Sequence, residues 1–129
     1  MTAKQFLKSG YKVDDIIMSY QDELESVNAL IEVMQKDKKA EVSVHALELA
    51  EKIETELKAA MQLKADVHSA IQAVKNTDER LVLRCRYILG LTWEQTAERL
   101  YYCDTQVKRI HGSALKNIVV PERYRQHEQ

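Results

Sequence analysis

Apolar side chains recur in steps of four and three along the first third of the chain. Val13, Ile17, Tyr20, Leu24, Val27, Ile31 and Met34 keep this rhythm without a miss, which is the seam of a helix that packs along a partner helix. Ile16 and Leu30 widen the stripe, as suits a bundle with more than one neighbour. Asp14 and Asp15 stand near the start, where negative charge favours the helix dipole. Lys36–Glu41 is polar except for Ala40 and predicts a bend between two antiparallel helices. It holds no Gly or Pro, so one continuous helix is the alternative. A second long helix is expected from Val42 or Ser43 to Lys75, with Leu49, Ile53, Leu57, Ala60, Val67, Ile71 and Val74 as its seam and Lys64 interrupting it. Such a helix is about 50 Å long at the usual rise per residue. Two helices of this kind cannot bury both flanks against each other, so the surplus predicts a two-fold dimer built on a four-helix bundle. Ahead of them, Met1–Lys12 reads as a short leader. Gly10 breaks it, and Phe6, Leu7 and Tyr11 are available to pack on a neighbour.

The pattern changes after residue 76. Asn76-Thr77-Asp78 ends the long helix and caps the next, in which Leu81, Val82, Cys85, Ile88 and Leu89 share one side. Gly90 is the expected C-cap. Thr92 and Gln95 then have the spacing of a capping box. Trp93, Thr96, Ala97 and Leu100 form one helical face, Tyr101-Tyr102-Cys103 breaks it, and Val107, Ile110, Ala114 and Ile118 form a second stripe after a restart at Asp104 and Thr105. Small Ala97 lets two helices cross closely, and Val107 and Ile110 plug the second onto the first: a helix-turn-helix. Val107 is expected to be buried between them. The opposite face of the second helix carries Thr105, Lys108, Arg109 and Gly112, a surface suited to reading bases in a major groove. Val119-Val120-Pro121 stops the last helix, and Glu122–Gln129 is a polar tail.

Three glycines, one proline and an abundance of strong helix formers predict an all-α protein. Its expected organisation is a long antiparallel, coiled-coil-like hairpin for oligomerisation over 1–76, a three-helix helix-turn-helix domain over 77–120, and the tail over 121–129. The second domain, Asp78 onward, is expected to fold alone as a small monomer. The net charge of −1 hides an asymmetry: Met1–Thr77 holds 10 basic and 13 acidic residues, Asp78–Gln129 holds 9 and 7. The overall balance does not announce nucleic-acid binding, but Lys108, Arg109, Lys116, Arg123 and Arg125 face only Glu122 in their stretch. No apolar run is long enough to span a membrane and the start lacks the core of a signal peptide, so a cytoplasmic protein is expected. Cys85 reads as core and Cys103 as a turn residue; two isolated cysteines make no zinc site. His45, His68, His111 and His127 are scattered, and no phosphate loop or nucleophile motif occurs. No enzyme activity, cofactor or metal is expected.

The run Thr77–Ile118 resembles region 4 of the sigma-70 family: a helix, Gly90-Leu91-Thr92, the two helices just described, and Ala114-Leu115 near the end. The whole chain is similar to prophage-encoded, region-4-like transcriptional regulators related to the autolysin regulatory protein, which begin in the manner of Met1-Thr2-Ala3-Lys4. The resemblance implies a DNA-binding regulator of phage or prophage genes, with double-stranded DNA as partner and RNA polymerase as a second. Those turns usually carry Gly where Tyr101 stands, because the backbone there is left-handed; a side chain in that conformation costs on the order of 1 kcal/mol. On this reading Thr105, Lys108 and Arg109 face bases, with Gln106 at the edge. Arg109 suits guanine and Gln106 adenine, and Gly112 lets the helix approach closely. Arg84, Thr92 and Lys116 are the candidates for phosphates, which position without reading sequence. Trp93 reads as core rather than as a platform for a sugar. A phage assembly protein of the small-terminase kind also joins a helix-turn-helix to a helical hairpin, in the reverse order and as a ring. A region-4-like module that binds only protein is the third reading.

Overall fold

A computed structural model of the chain describes residues 1–37 and 43–125, and every regular element among them is helical. Six α-helices follow in order: α1 (Ala3–Ser9), α2 (Val13–Lys36), α3 (Val44–Gln72), α4 (Thr77–Leu83), α5 (Trp93–Leu100) and α6 (Asp104–Asn117). A π-helical turn, Arg84–Ile88, continues α4, and a 3-10 turn covers Glu122–Tyr124. Within the stretch expected to bend, α2 ends at Lys36 and Asp37 is extended. Its remaining positions, 38–41, lie outside the described residues, as does the tail over 126–129.

Contacts divide the chain into two units, Lys12–Gln62 and Met1–Tyr11 with Leu63 onward. This is not the division expected after Asn76. The first unit pairs α2 with the start of α3. Every one of the seven seam positions of α2 is buried or half-buried, and every other residue of that helix is exposed. Tyr20 meets Glu56 across the pair, and that carboxylate, together with partial burial, raises the phenol pKa. Six of the seven seam positions expected from Leu49 to Val74 are buried or half-buried, and Leu49 is the exception. Ala50 and Ile53 are buried and Ala46, Leu57, Ala60 and Leu63 half-buried, whereas Leu49 is exposed. Small side chains let the helices approach, so the alanines occupy the contact line and Leu49 falls outside it. Leu63, one residue before Lys64, carries the stripe through the interruption.

The second unit has two small cores. The larger joins Phe6 and Leu7 of α1, Val67, Ala70 and Ile71 of α3, Val74 of the link that follows, Leu83 and Tyr87 of α4 and its π-helical turn, and Ala114 of α6 with Ile118 just past its end. The supposed leader is therefore a helix with its own capping box: the Thr2 hydroxyl accepts from the Gln5 N–H at 3.2 Å and the Gln5 side chain accepts from the Thr2 N–H at 2.9 Å. Gly10 is placed where a Cβ would lie 3.3 Å from the Val67 side chain, so α1 can end close against α3. Past α6, the expected polar tail folds back. The Tyr124 ring lies 5.1 Å from that of Phe6, and its hydroxyl donates to Asp66 at 2.7 Å. Burial and that bond push the Tyr124 pKa up to about 12. Six of the ten buried residues of this core come from α1 and from Val67–Val74. The larger core beneath the three C-terminal helices is thus built mostly by α1 and by Val67–Val74. The smaller core is Val82, Ala97 and Val107, with Trp93, Leu100, Tyr102 and Ile110 around it.

Candidate nucleic-acid interface

Local sequence builds the α5–turn–α6 segment. Thr92 accepts from the Gln95 N–H at 3.1 Å and the Gln95 side chain accepts from the Thr92 N–H at 2.9 Å, so two N–H groups that helix geometry would orphan are satisfied. Thr96, fully buried, turns its hydroxyl back to the Thr92 carbonyl at 2.8 Å. α5 ends at Tyr101, whose φ of 59° and ψ of 40° are left-handed. The chain thus adopts at tyrosine the conformation that glycine takes more cheaply. Tyr101 is 92% exposed, while Tyr102 is half-buried and donates to Asp78 at 2.7 Å, a bond that raises its pKa. Val107 is fully buried, Ala97 nearly so.

The phase of α6 fixes what its outer face offers. Thr105, Lys108, Arg109, Gly112 and Lys116 are all exposed, and Gln106 is half-buried at the edge. These share the side opposite Val107, Ala114 and Ile118 at 100° per residue. A Cβ added to Gly112 would meet nothing within 4 Å. Glycine inside a helix is destabilising by roughly 0.5–1 kcal/mol relative to alanine, and no neighbour within this chain requires it. Arg109 also borders a shallow cleft of about 280 Å³, shared with Asn76, Asp78, Glu79, Ile110 and Ser113. Arg84 and Thr92 are not part of this face. Arg84 lies in the π-helical turn and donates to Gln72 at 3.0 Å, and the Thr92 oxygen caps α5.

Two features behind the face carry no obvious signal in the sequence. Glu79 is 5% exposed and ties α6 to α4: it accepts from the Ser113 hydroxyl at 2.6 Å and from the Asn117 amide at 2.8 and 3.1 Å. Its own N–H goes to the Asn76 cap at 3.0 Å. Among the described residues the buried carboxylate is compensated by hydrogen bonds rather than by a cation, and it fixes both the rotation and the height of α6 on α4. The second feature is His111, buried in the same stripe as Val107. Its Nε2 lies 2.7 Å from the Tyr87 hydroxyl, and the Trp93 ring meets it edge-on at 4.9 Å. Burial, then Arg86 and Lys4, lowers the His111 pKa to about 4, and burial with Tyr11 raises that of Tyr87 to about 12. A neutral phenol and a neutral imidazole therefore meet here. Arg86 lies 4.1 Å from the Trp93 ring centroid and donates to the Leu91 carbonyl at 2.7 Å. Trp93 is half-buried between Arg86 and His111, which suits packing.

Among the described residues no group of three His, Cys, Asp or Glu side chains could hold a metal ion. Nor is any helix long and apolar enough to cross a membrane. Cys85 is buried and Cys103 exposed. No curated protein matches the chain, and no solved structure does. Residues 23–118, from α2 to the end of α6, match a family described as a protein of unknown function (DUF1492), and the chain belongs to that family.

Proposed function

We propose that this chain is a sequence-specific DNA-binding transcriptional regulator of phage or prophage genes, acting as a homodimer in the cytoplasm. The observation that carries the reading is the outer face of α6. It presents two cations, Lys108 and Arg109, beside Thr105 and a glycine with open space around it, with Lys116 one turn further on. A helix lying in a major groove needs such a face: long cationic side chains for base edges and phosphates, and a bare stretch of backbone where the groove wall comes near. Two helices joined by a three-residue turn, with the second held from behind by a third element, suit that placement. Gln106 lies at the edge of the face. Thr92 and Arg84 serve the fold first, which leaves Lys116 as the phosphate contact best placed on α6 itself. The resemblance to region 4 of sigma-70 supports the same class.

Selection of bound sequences from a random DNA pool tests the reading. The expected product is a two-fold symmetric motif. Arg109→Ala should then relax preference at one base position and cost about 1–3 kcal/mol on the selected site. Failure of the intact protein to enrich any sequence would overturn the reading.

A further inference from the structure

Apolar burial holds α6 against the rest of its unit but says little about its rotation. Val107 and Ala114, at its back, are small side chains, and burial is non-directional. A helix that rolls slightly keeps most of it. Hydrogen bonds to a fixed point are directional, and Glu79 supplies that point. Its carboxylate accepts from Ser113 and Asn117, one turn apart on α6. Its own N–H is held by the Asn76 cap, so the anchor ties the start of α4 to the last turns of α6. Ser113 and Asn117 are exposed, and Glu79 lies buried beneath them.

Arg109, Ser113 and Asn117 follow one another in steps of four, so each stands about 40° round the helix from the last. The anchored row thus begins at the residue suited to reading a guanine. Arg109 and Ser113 also border the same shallow cleft as Glu79. Side chains reach ~5–6 Å from a helix axis, so a roll of ~15° carries them by ~1.5 Å. Binding geometry tolerates only about 0.5 Å and 10–20°. A clamp on this row therefore decides whether Lys108 and Arg109 meet base edges or miss them. For stability alone a carboxylate would be a poor choice, since an apolar side chain of similar size packs there without the cost of desolvating a charge. What the carboxylate adds is direction. We infer that Glu79 is a positioning residue for DNA reading, which sets base preference through the pose of α6 without itself reaching DNA. The inference rests on the α6 face being the one that meets DNA, as proposed above.

Affinity for the selected DNA site divided by affinity for random DNA separates pose from stability. Full-length variants are titrated at a temperature where melts show them folded. Glu79→Gln keeps the shape but turns one acceptor into a donor that faces the Asn117 amide. It should lower the ratio about 10- to 100-fold, the loss of one good base contact. Binding to random DNA and its salt dependence should stay unchanged, because phosphate contacts read no sequence. Ile71→Val, in the larger core and away from this network, should lower the melting midpoint and leave the ratio alone. Exchanging the two groups, Glu79→Gln/Asn117→Asp, sets a donor against an acceptor again and should return the ratio, a coupling that the double-mutant cycle reads. Where Glu79→Gln does not fold, Ser113→Ala, at an exposed position, removes one of the bonds and carries the same expectation. A wild-type ratio in the folded variant would overturn the inference and leave the proposed function standing. So would an equal fall in Ile71→Val, or no recovery in the exchanged pair. A wild-type chain that prefers no DNA sequence would overturn both.

Discussion

Replacing Gly112 by alanine should make the protein more stable and a poorer DNA binder at once. Gly112 lies well inside α6, which runs from Asp104 to Asn117. Alanine there is worth roughly 0.5–1 kcal/mol of helix stability. Nothing lies within 4 Å of the new methyl group, so no strain offsets the gain. For a unit of this size that is a rise of about 2–8 °C in the melting midpoint. On the bound side the same methyl enters the space between the helix and the groove. If α6 docks by this face, forcing it away should cost about 1–3 kcal/mol, the usual penalty for overfilling a packed contact. Thermal melts followed by circular dichroism give the first number, and titration of the selected DNA site by fluorescence anisotropy the second. A stability gain with unchanged affinity would refute the argument, because it would show that this part of the face never comes within a methyl's breadth of DNA.

Tyr101→Gly should stabilise the protein by about 0.5–1 kcal/mol: relief of the left-handed strain, roughly 1–2 kcal/mol, less the added freedom of the unfolded chain. Its ring is 92% exposed, so little packing is lost, and a lower melting midpoint would contradict the assignment of strain. Glu79→Ala should cost about 1–3 kcal/mol through the lost charged hydrogen bonds to Ser113 and Asn117; an unchanged urea midpoint would show that this anchor holds nothing. His111 makes stability depend on pH. Its pKa of about 4 in the fold lies below the 6.5 of the free group, so between these values the unfolded chain holds more protons. Its contribution is complete above pH 6.5, shrinks as the pH falls to about 4 by up to about 3 kcal/mol, and is flat below. His111→Gln should flatten that slope, and equal slopes for variant and wild type would remove His111 as its source.

Periodicity made α2 fully legible, because its seam is built of large residues and each falls on the contact line. In α3 only Leu49 departs from the expected seam. Ala46 and Ala50 are covered there instead: their small size marks a close approach of helices, but alanine carries too little apolar weight to outrank leucine as a seam position. The capping box of α1, Thr2 with Gln5, has the same spacing as that of α5, Thr92 with Gln95, and was readable by the same rule; Gly10 and the shortness of the segment obscured it. Glu79 could not be read. In the first turn of a helix an acid is ordinary, and its partners stand 34 and 38 residues later. The same holds for the Tyr87–His111 bond and for Tyr124 on Asp66, which exist only once distant segments are packed. Of the candidate interface, the α6 face followed from helical phase alone. The employment of Thr92 and Arg84 within the fold did not.

The contact between Phe6 and Tyr124 has a consequence for the order in which the protein is made. The core beneath α6 draws on α1, near the start of synthesis, and on Tyr124, more than a hundred residues later. During translation Phe6 and Leu7 leave the ribosome long before anything exists to cover them. α2 and the first half of α3 can meet meanwhile, since their partners are close in sequence. The unit that bears α6 must wait for loop closure across nearly the whole chain, a slow step by nature. The pairing of α2 with the first half of α3 therefore comes before the α6 face is finished.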